Sequence, residues 1–246
     1  MKTAQLFNLI LMSVFAGVMV SSAPSEVQSR MTGTTPPGGT NEAVTDVMVR
    51  LRSDEARAAF LGRECAMIWF ASQTKIFNEK ELEKDILLAS LLAKALGVQY
   101  TEDQFRNAFK TENKVASDFD SLFSETIAKQ KNTKIRDIYL FSFWCTASRA
   151  FVSVVPLFEP EQQKIARKWV ESPLSKAAQV ASAHDPASSL RCEKLETRSS
   201  ITPLDTFDLA DKLASEITEV QKEFLLKFMA PQEVALVTEP LLKKKP

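Results

Sequence analysis

His184 is the single imidazole in the chain, so any Ser-His or Cys-His nucleophilic mechanism would have to pass through it. Asp185 follows it directly and is the carboxylate that sequence alone puts within reach to orient the ring. The run His184-Asp185-Pro186 also has the form of a helix stop, where the helix dipole favours a cationic ring. His184 is therefore expected to close a helix rather than to catalyse. Cys65, Cys145 and Cys192 stand far apart, with neither the CxxC spacing of redox centres nor that of zinc ribbons. Two readings stay open for them: a Cys65–Cys145 disulfide between apolar helix faces with Cys192 left over, or three small buried thiols. A diiron bundle needs Glu-x-x-His on two helices, and here Ala181 precedes the lone His by three residues. Glu79 with Glu83, and Glu216 with Glu223, fall at helical spacings among lysines and read as solvated, ion-paired faces. No catalytic, cofactor-binding or metal-ligating residue is expected from these patterns.

Composition narrows the remaining classes. The 246 residues carry 31 basic and 31 acidic side chains and are 45% hydrophobic, a balance that excludes a disordered tail and a polycationic nucleic-acid binder. With 6 Gly in all, there is no glycine-rich phosphate loop, and no basic patch interleaved with aromatics. Nucleic acid is not an expected partner.

The elements that must position these residues begin with Lys2 and the apolar run Leu6 to Val20, followed by small residues. That order predicts a signal peptide over 1–22 with Ala23 first in the mature chain. Residues 23–42, rich in Pro, Gly, Ser and Thr, predict a flexible linker, 43–232 a single folded domain, and 233–246 a tail ending in three lysines. No glycine occurs after Gly97, whereas β architectures need glycine for turns and bulges at short intervals. The expected fold is therefore all-α, a bundle of about six to eight helices around a Phe-rich core helix.

Asn78 with Glu81, and Thr101 with Gln104, have capping-box spacing, and Gly97 stands where a left-handed residue would end a helix. A helix near 79–96 is expected, with Leu82, Ile86, Ala89 and Ala93 on one face. A second, long helix is expected from Thr101, carrying Phe105, Phe109, Ala116, Phe119, Phe123 and Ile127. Thr133 then opens a segment that is apolar nearly all round from Ile138 to Phe158, which predicts a buried core helix; a membrane span is the alternative, with Arg149 near its middle and three Ser and one Thr diluting it. Pro160 and Pro173 predict helices near 160–171 and 173–183, then a polar loop over 186–202. Thr202-Pro203 is expected to start the last long helix, with Phe207, Ala210, Leu213, Ile217, Val220, Phe224 and Phe228 inward until Pro231 breaks it.

The stretch FEPEQQKIARKWVESPLSK, through Phe158, Glu161, Trp169, Ser172, Pro173 and Lys176, resembles the signature of a family of exported bacterial helical proteins with no assigned activity. Ser175 stands where that pattern has Gly. The resemblance implies an all-α periplasmic or secreted protein with a helix–cap–helix hairpin here. The layout of residues 47–123 is loosely similar to exported chorismate mutases, which would imply a dicarboxylate site built from Arg and Lys. Glu79, Glu81 and Glu83 occupy the turn where such a site needs cations.

The expected function is that of an exported, non-enzymatic interaction or structural protein with a protein or envelope partner, and without a membrane span once the signal is removed. The alternatives are a carrier of an apolar ligand in a helical pocket and an enzyme of the chorismate mutase type.

Overall fold

The computed structural model describes residues 40–74, 77–110 and 133–239. The expected signal peptide, nearly all of the linker, the continuation of the second helix over 111–132 and residues 240–246 of the expected tail lie outside them. The described residues form nine α-helices and no strand: α1 (Thr40–Arg50), α2 (Asp54–Thr74), α3 (Glu79–Ala95), α4 (Glu102–Lys110), α5 (Thr133–Val152), α6 (Pro160–Ser182), α7 (Pro186–Ile201), α8 (Phe207–Leu225) and α9 (Pro231–Thr238), with a 3-10 turn at Val155–Leu157. The fold is all-α and a single domain.

Local chemistry sets several boundaries. The Asn78 side chain accepts from the Lys80 amide at 2.9 Å to start α3, and Gly97, at φ 73°, ends it in the left-handed region that side chains other than hydrogen disfavour. Leu82, Ile86, Ala89 and Ala93 all face the core. The capping box of α4 forms as spaced: the Thr101 amide donates to Gln104 Oε1 at 2.8 Å, and the Gln104 amide to Thr101 Oγ1 at 3.4 Å.

α5 is the central helix, packed against α2, α6 and α8. It is apolar and long enough to span a bilayer, but 94% of its most apolar window is buried inside the protein, so it is the core helix. On one side the Phe143 ring stacks on Trp69 at 5.8 Å between centroids, while Phe151 meets Trp69 at 5.1 Å and Trp169 at 4.8 Å edge to face. On the other, Phe141 stacks on Phe224 of α8 at 3.8 Å. α2 approaches α5 closely enough that a Cβ on Gly62 would lie 3.0 Å from the Phe143 amide nitrogen and nearer still to the Tyr139 carbonyl oxygen. There Ser142 Oγ donates to the Ala59 carbonyl at 2.7 Å.

Five expectations are corrected. α1 takes in residues 40–42, which the composition assigned to the linker. α6 runs unbroken through Pro173: the ring has no N–H to give to the helix ladder, yet Val170, Leu174, Ala177, Ala178 and Ala181 form one buried stripe that carries the helix past it. The expected hairpin at Ser172-Pro173 is thus one helix. Residues 186–201 form α7, not a loop, because Ser188, Ser189, Cys192, Leu195 and Ser199 recur at helical spacing and are small enough to bury. α8 starts at Phe207 behind the Thr206 cap, not at Thr202-Pro203. Pro231 opens α9 rather than ending the domain, and Val234, Leu236 and Val237 are at most 3% exposed, so the fold extends to Thr238 and residues 233–238 are no tail.

Candidate functional site

Three chain segments converge at one end of the bundle: the first turns of α5, the α6–α7 turn and the last turn of α8. Ile135 and Ile138 anchor the start of α5 in the core and leave Asp137 between them, 8% exposed, against the α6–α7 turn. The imidazole Nε2 of His184 donates to Asp137 Oδ2 at 2.8 Å, and Arg136 Nη2 donates to Oδ1 at 2.8 Å. The ring edges of His184 meet Phe224 and Phe228 at centroid distances of 6.4 and 5.9 Å.

Asp185, the carboxylate next to His184 in sequence, does not orient the imidazole. Lys227 Nζ lies 2.7 Å from its Oδ1, and Ser188 Oγ donates to Oδ2. Burial works to raise the Asp185 carboxyl, but the hydrogen bonds and charge from Lys227 and Ser188 prevail and hold it below the usual carboxylate range. Lys134 pairs with Glu55 at 2.8 Å and lies over the Phe228 ring. Asp137–His184 is chemically two thirds of a hydrolytic relay. Among the described residues, however, the ring's hydrogen-bond partner is Asp137, and the neighbouring Ser188 hydroxyl is taken by Asp185. The arrangement ties α5, the α6–α7 turn and α8 together.

Arg149 is 4% exposed and has neutral partners. Its Nη1 donates to Gln221 Oε1 at 3.0 Å, and its Nη2 to the Thr238 and Glu239 carbonyls at 3.2 and 3.0 Å, where α9 ends. Those carbonyls carry the negative end of the α9 dipole. Burial lowers Arg149 to about 10, with the charge of Arg63 pushing the same way, so it remains a cation at neutral pH. Gln221, fully buried, donates through Nε2 to Ser142 Oγ at 3.2 Å and Thr146 Oγ1 at 3.3 Å. Arg149, Gln221, Ser142 and Thr146 thereby form one connected polar network inside the bundle.

Glu233 at the start of α9 is the other long-range fastener. Its Oε1 accepts from the Arg52 and Ser53 amides at 2.9 and 3.0 Å, while its Oε2 accepts from the Ala230 amide at 3.1 Å. One carboxylate thus caps the starts of α2 and α9.

The acidic pairs are joined to neighbouring helices. Glu83 pairs with Arg106, Glu216 with Arg198 and Glu223 with Arg191. A carboxyl pair that sequence did not single out lies between α2 and α3: burial raises Asp85 well above the usual range and the adjoining Glu64 adds to it, with Arg63 opposing. An open groove of about 880 Å³ beside α3 and α4 is lined by Lys94 and Arg106 but also by Glu102 and Asp103, and Arg106 is already engaged by Glu83. Among the described residues, no group of three or more His, Cys, Asp or Glu is arranged to hold a metal.

The three thiols are unlinked and buried. Of the two readings, three buried thiols is the one seen and the Cys65–Cys145 link is absent: Cys65 lies against the Tyr139 hydroxyl, and Cys145 against Cys192. Burial pushes both Cys65 and Cys145 up, away from the thiolate a nucleophile needs.

Compared with protein-family models, with curated proteins and with solved structures, the chain matches none of them.

Proposed function

We propose that the chain is an exported, non-enzymatic helical protein of the periplasm or extracellular space that acts by binding a protein or envelope partner. One observation carries this reading: the groups with chemical potential are each committed to joining helices. His184 is held by Asp137, Asp185 by Lys227 and Ser188, and Glu233 by two helix starts. The three cysteines are buried in the core. Ring-to-ring packing at 4.8–5.8 Å around Trp69, Phe143, Phe151 and Trp169 fills the space an apolar ligand would take, which favours surface binding over a carrier. Export rests on Lys2, the apolar run Leu6 to Val20 and the small residues before Ala23.

The test is mass spectrometry of the natural protein and of whatever co-purifies with it from cell envelope and medium. The expected result is a mature N-terminus within a few residues of Ala23 and one partner at fixed stoichiometry. An intact Met1 in cytoplasmic material, or turnover of a small molecule by the purified chain, would contradict the proposal.

A further inference from the structure

We infer that Cys145 and Cys192 are a disulfide site that staples α5 to α7 in the mature protein, leaving Cys65 as a single buried thiol. The proposal rests on export into an oxidising compartment, since the cytosol would keep the pair reduced.

Helix register brings the two cysteines together. Both α5 and α7 pack on α6. Ser148 Oγ donates to the Val170 carbonyl at 2.9 Å, and Lys176 Nζ sits 4.0 Å above the Trp144 ring, so going back along α5 from 148 to 144 means going forward along α6 from 170 to 176. Cys145 therefore lies level with Leu174 of α6. On the other flank Ser189 Oγ donates to the Ala178 carbonyl at 2.9 Å, and the short turn at 183–185 reverses the chain, so advancing along α7 to Cys192 retreats along α6 by about one turn. It too arrives near Leu174. Leu174 and both cysteines are 0% exposed, and the thiols interact with each other. Cys65 is absent from this meeting point, facing Tyr139 from α2.

Oxidation proceeds by thiol–disulfide exchange with a carrier disulfide of the export compartment. One thiolate attacks the carrier to form a mixed disulfide, and the second thiolate displaces the carrier sulfur. The S–S bond forms in this chain, both protons leave, and the two electrons reduce the carrier to its dithiol. Burial disfavours thiolate in the closed bundle, so the exchange takes place while the chain is folding, before α6 and α7 close over α5.

Peptide mapping tests the pairing on two samples: the naturally produced protein, and the full chain expressed without its first 22 residues and refolded in mixed reduced and oxidised glutathione. Each is alkylated in denaturant without reductant. The expected result in both is a cross-linked pair of peptides containing Cys145 and Cys192, lighter by two hydrogens, with Cys65 alone alkylated. The refolded Cys192→Ser variant should leave Cys145 alkylated, and reducing the parent should lower its melting temperature by ~5–15 °C. A Cys65 linkage, or three alkylated thiols in the refolded chain, would overturn the pairing. The N-terminus read in the same spectra separates the two claims: three alkylated thiols behind an N-terminus near Ala23 overturn the pairing and leave export standing. An intact Met1 defeats export, and the refolded sample then decides the pairing.

Discussion

His184 hydrogen-bonds Asp137, 47 residues earlier in the chain, at 2.8 Å. That single contact joins the start of the core helix to the turn between α6 and α7, and the rings of Phe224 in α8 and Phe228 just beyond it close around it. The residue with the most catalytic potential in this chain is thereby part of the joinery at one end of the bundle. Glu233 does the equivalent for the helix starts of α2 and α9.

Gly62 is expected to reverse an ordinary rule. Replacing a mid-helix glycine by alanine normally stabilises by about 1 kcal/mol. Here the added methyl would press on the Tyr139 carbonyl and the Phe143 amide, backbone atoms of α5 that cannot rotate away. Gly62→Ala should destabilise by ~1–3 kcal/mol in denaturant titration. An unchanged or higher midpoint would show that α2 and α5 are not packed this closely.

Glu233→Ala would leave amides at the starts of two helices without an acceptor and should lose ~2–3 kcal/mol at neutral pH. Burial raises the Glu233 carboxyl, but amide donors from Ser53, Ala230 and Arg52 outweigh it and hold the group below the usual value. A carboxyl lowered in the folded state stabilises above its unfolded pKa, and that stability is lost as pH falls through the folded one. The gap between parent and variant should therefore be full above about pH 5 and shrink as the pH drops below about 4. A gap independent of pH would rule out the charged double cap.

Arg149→Met keeps most of the volume in the core but removes the donors that hold the last carbonyls of α9. Charge-assisted hydrogen bonds of this kind contribute about 1.5–3 kcal/mol. Hydrogen exchange should accelerate across 231–239 more than in α5 or α8. Equal acceleration everywhere would mean that Arg149 supports the whole core rather than the α9 contact.

The legible parts of this fold are those whose signals are local. Asn78 and Gly97 bracket α3 because capping and positive φ are properties of single residues, and α5 stands out because it is apolar on nearly every face. α7 was hidden because serine forms much of its buried face, with Ser189 satisfied by the Ala178 carbonyl on another helix. Asp185-Pro186 was the overlooked signal, since proline at the first helical position opens a helix as readily as it ends one. Pro173 misled in the opposite sense, its local penalty being outweighed by the buried stripe from Val170 to Ala181. At the candidate site, His184 was visible as the lone imidazole, but its partner was not. Asp137, the Glu233 cap 181 residues from Arg52 and the meeting of Cys145 with Cys192 are long-range contacts, and no spacing within one element encodes them.

The most direct test is His184→Ala in the full chain, with Asp137→Ala and the double variant beside it, scored by melting temperature and by retention of the partner that the proposed function calls for. The predicted result is a fall of ~2–8 °C for each single variant, from ~1–2 kcal/mol of lost hydrogen bonding and ring packing, with the double variant falling by less than their sum. Partner retention and cellular function should stay at the parent's level below the melting transition. An unchanged melting temperature with function lost would contradict the account and make Asp137–His184 a catalytic pair.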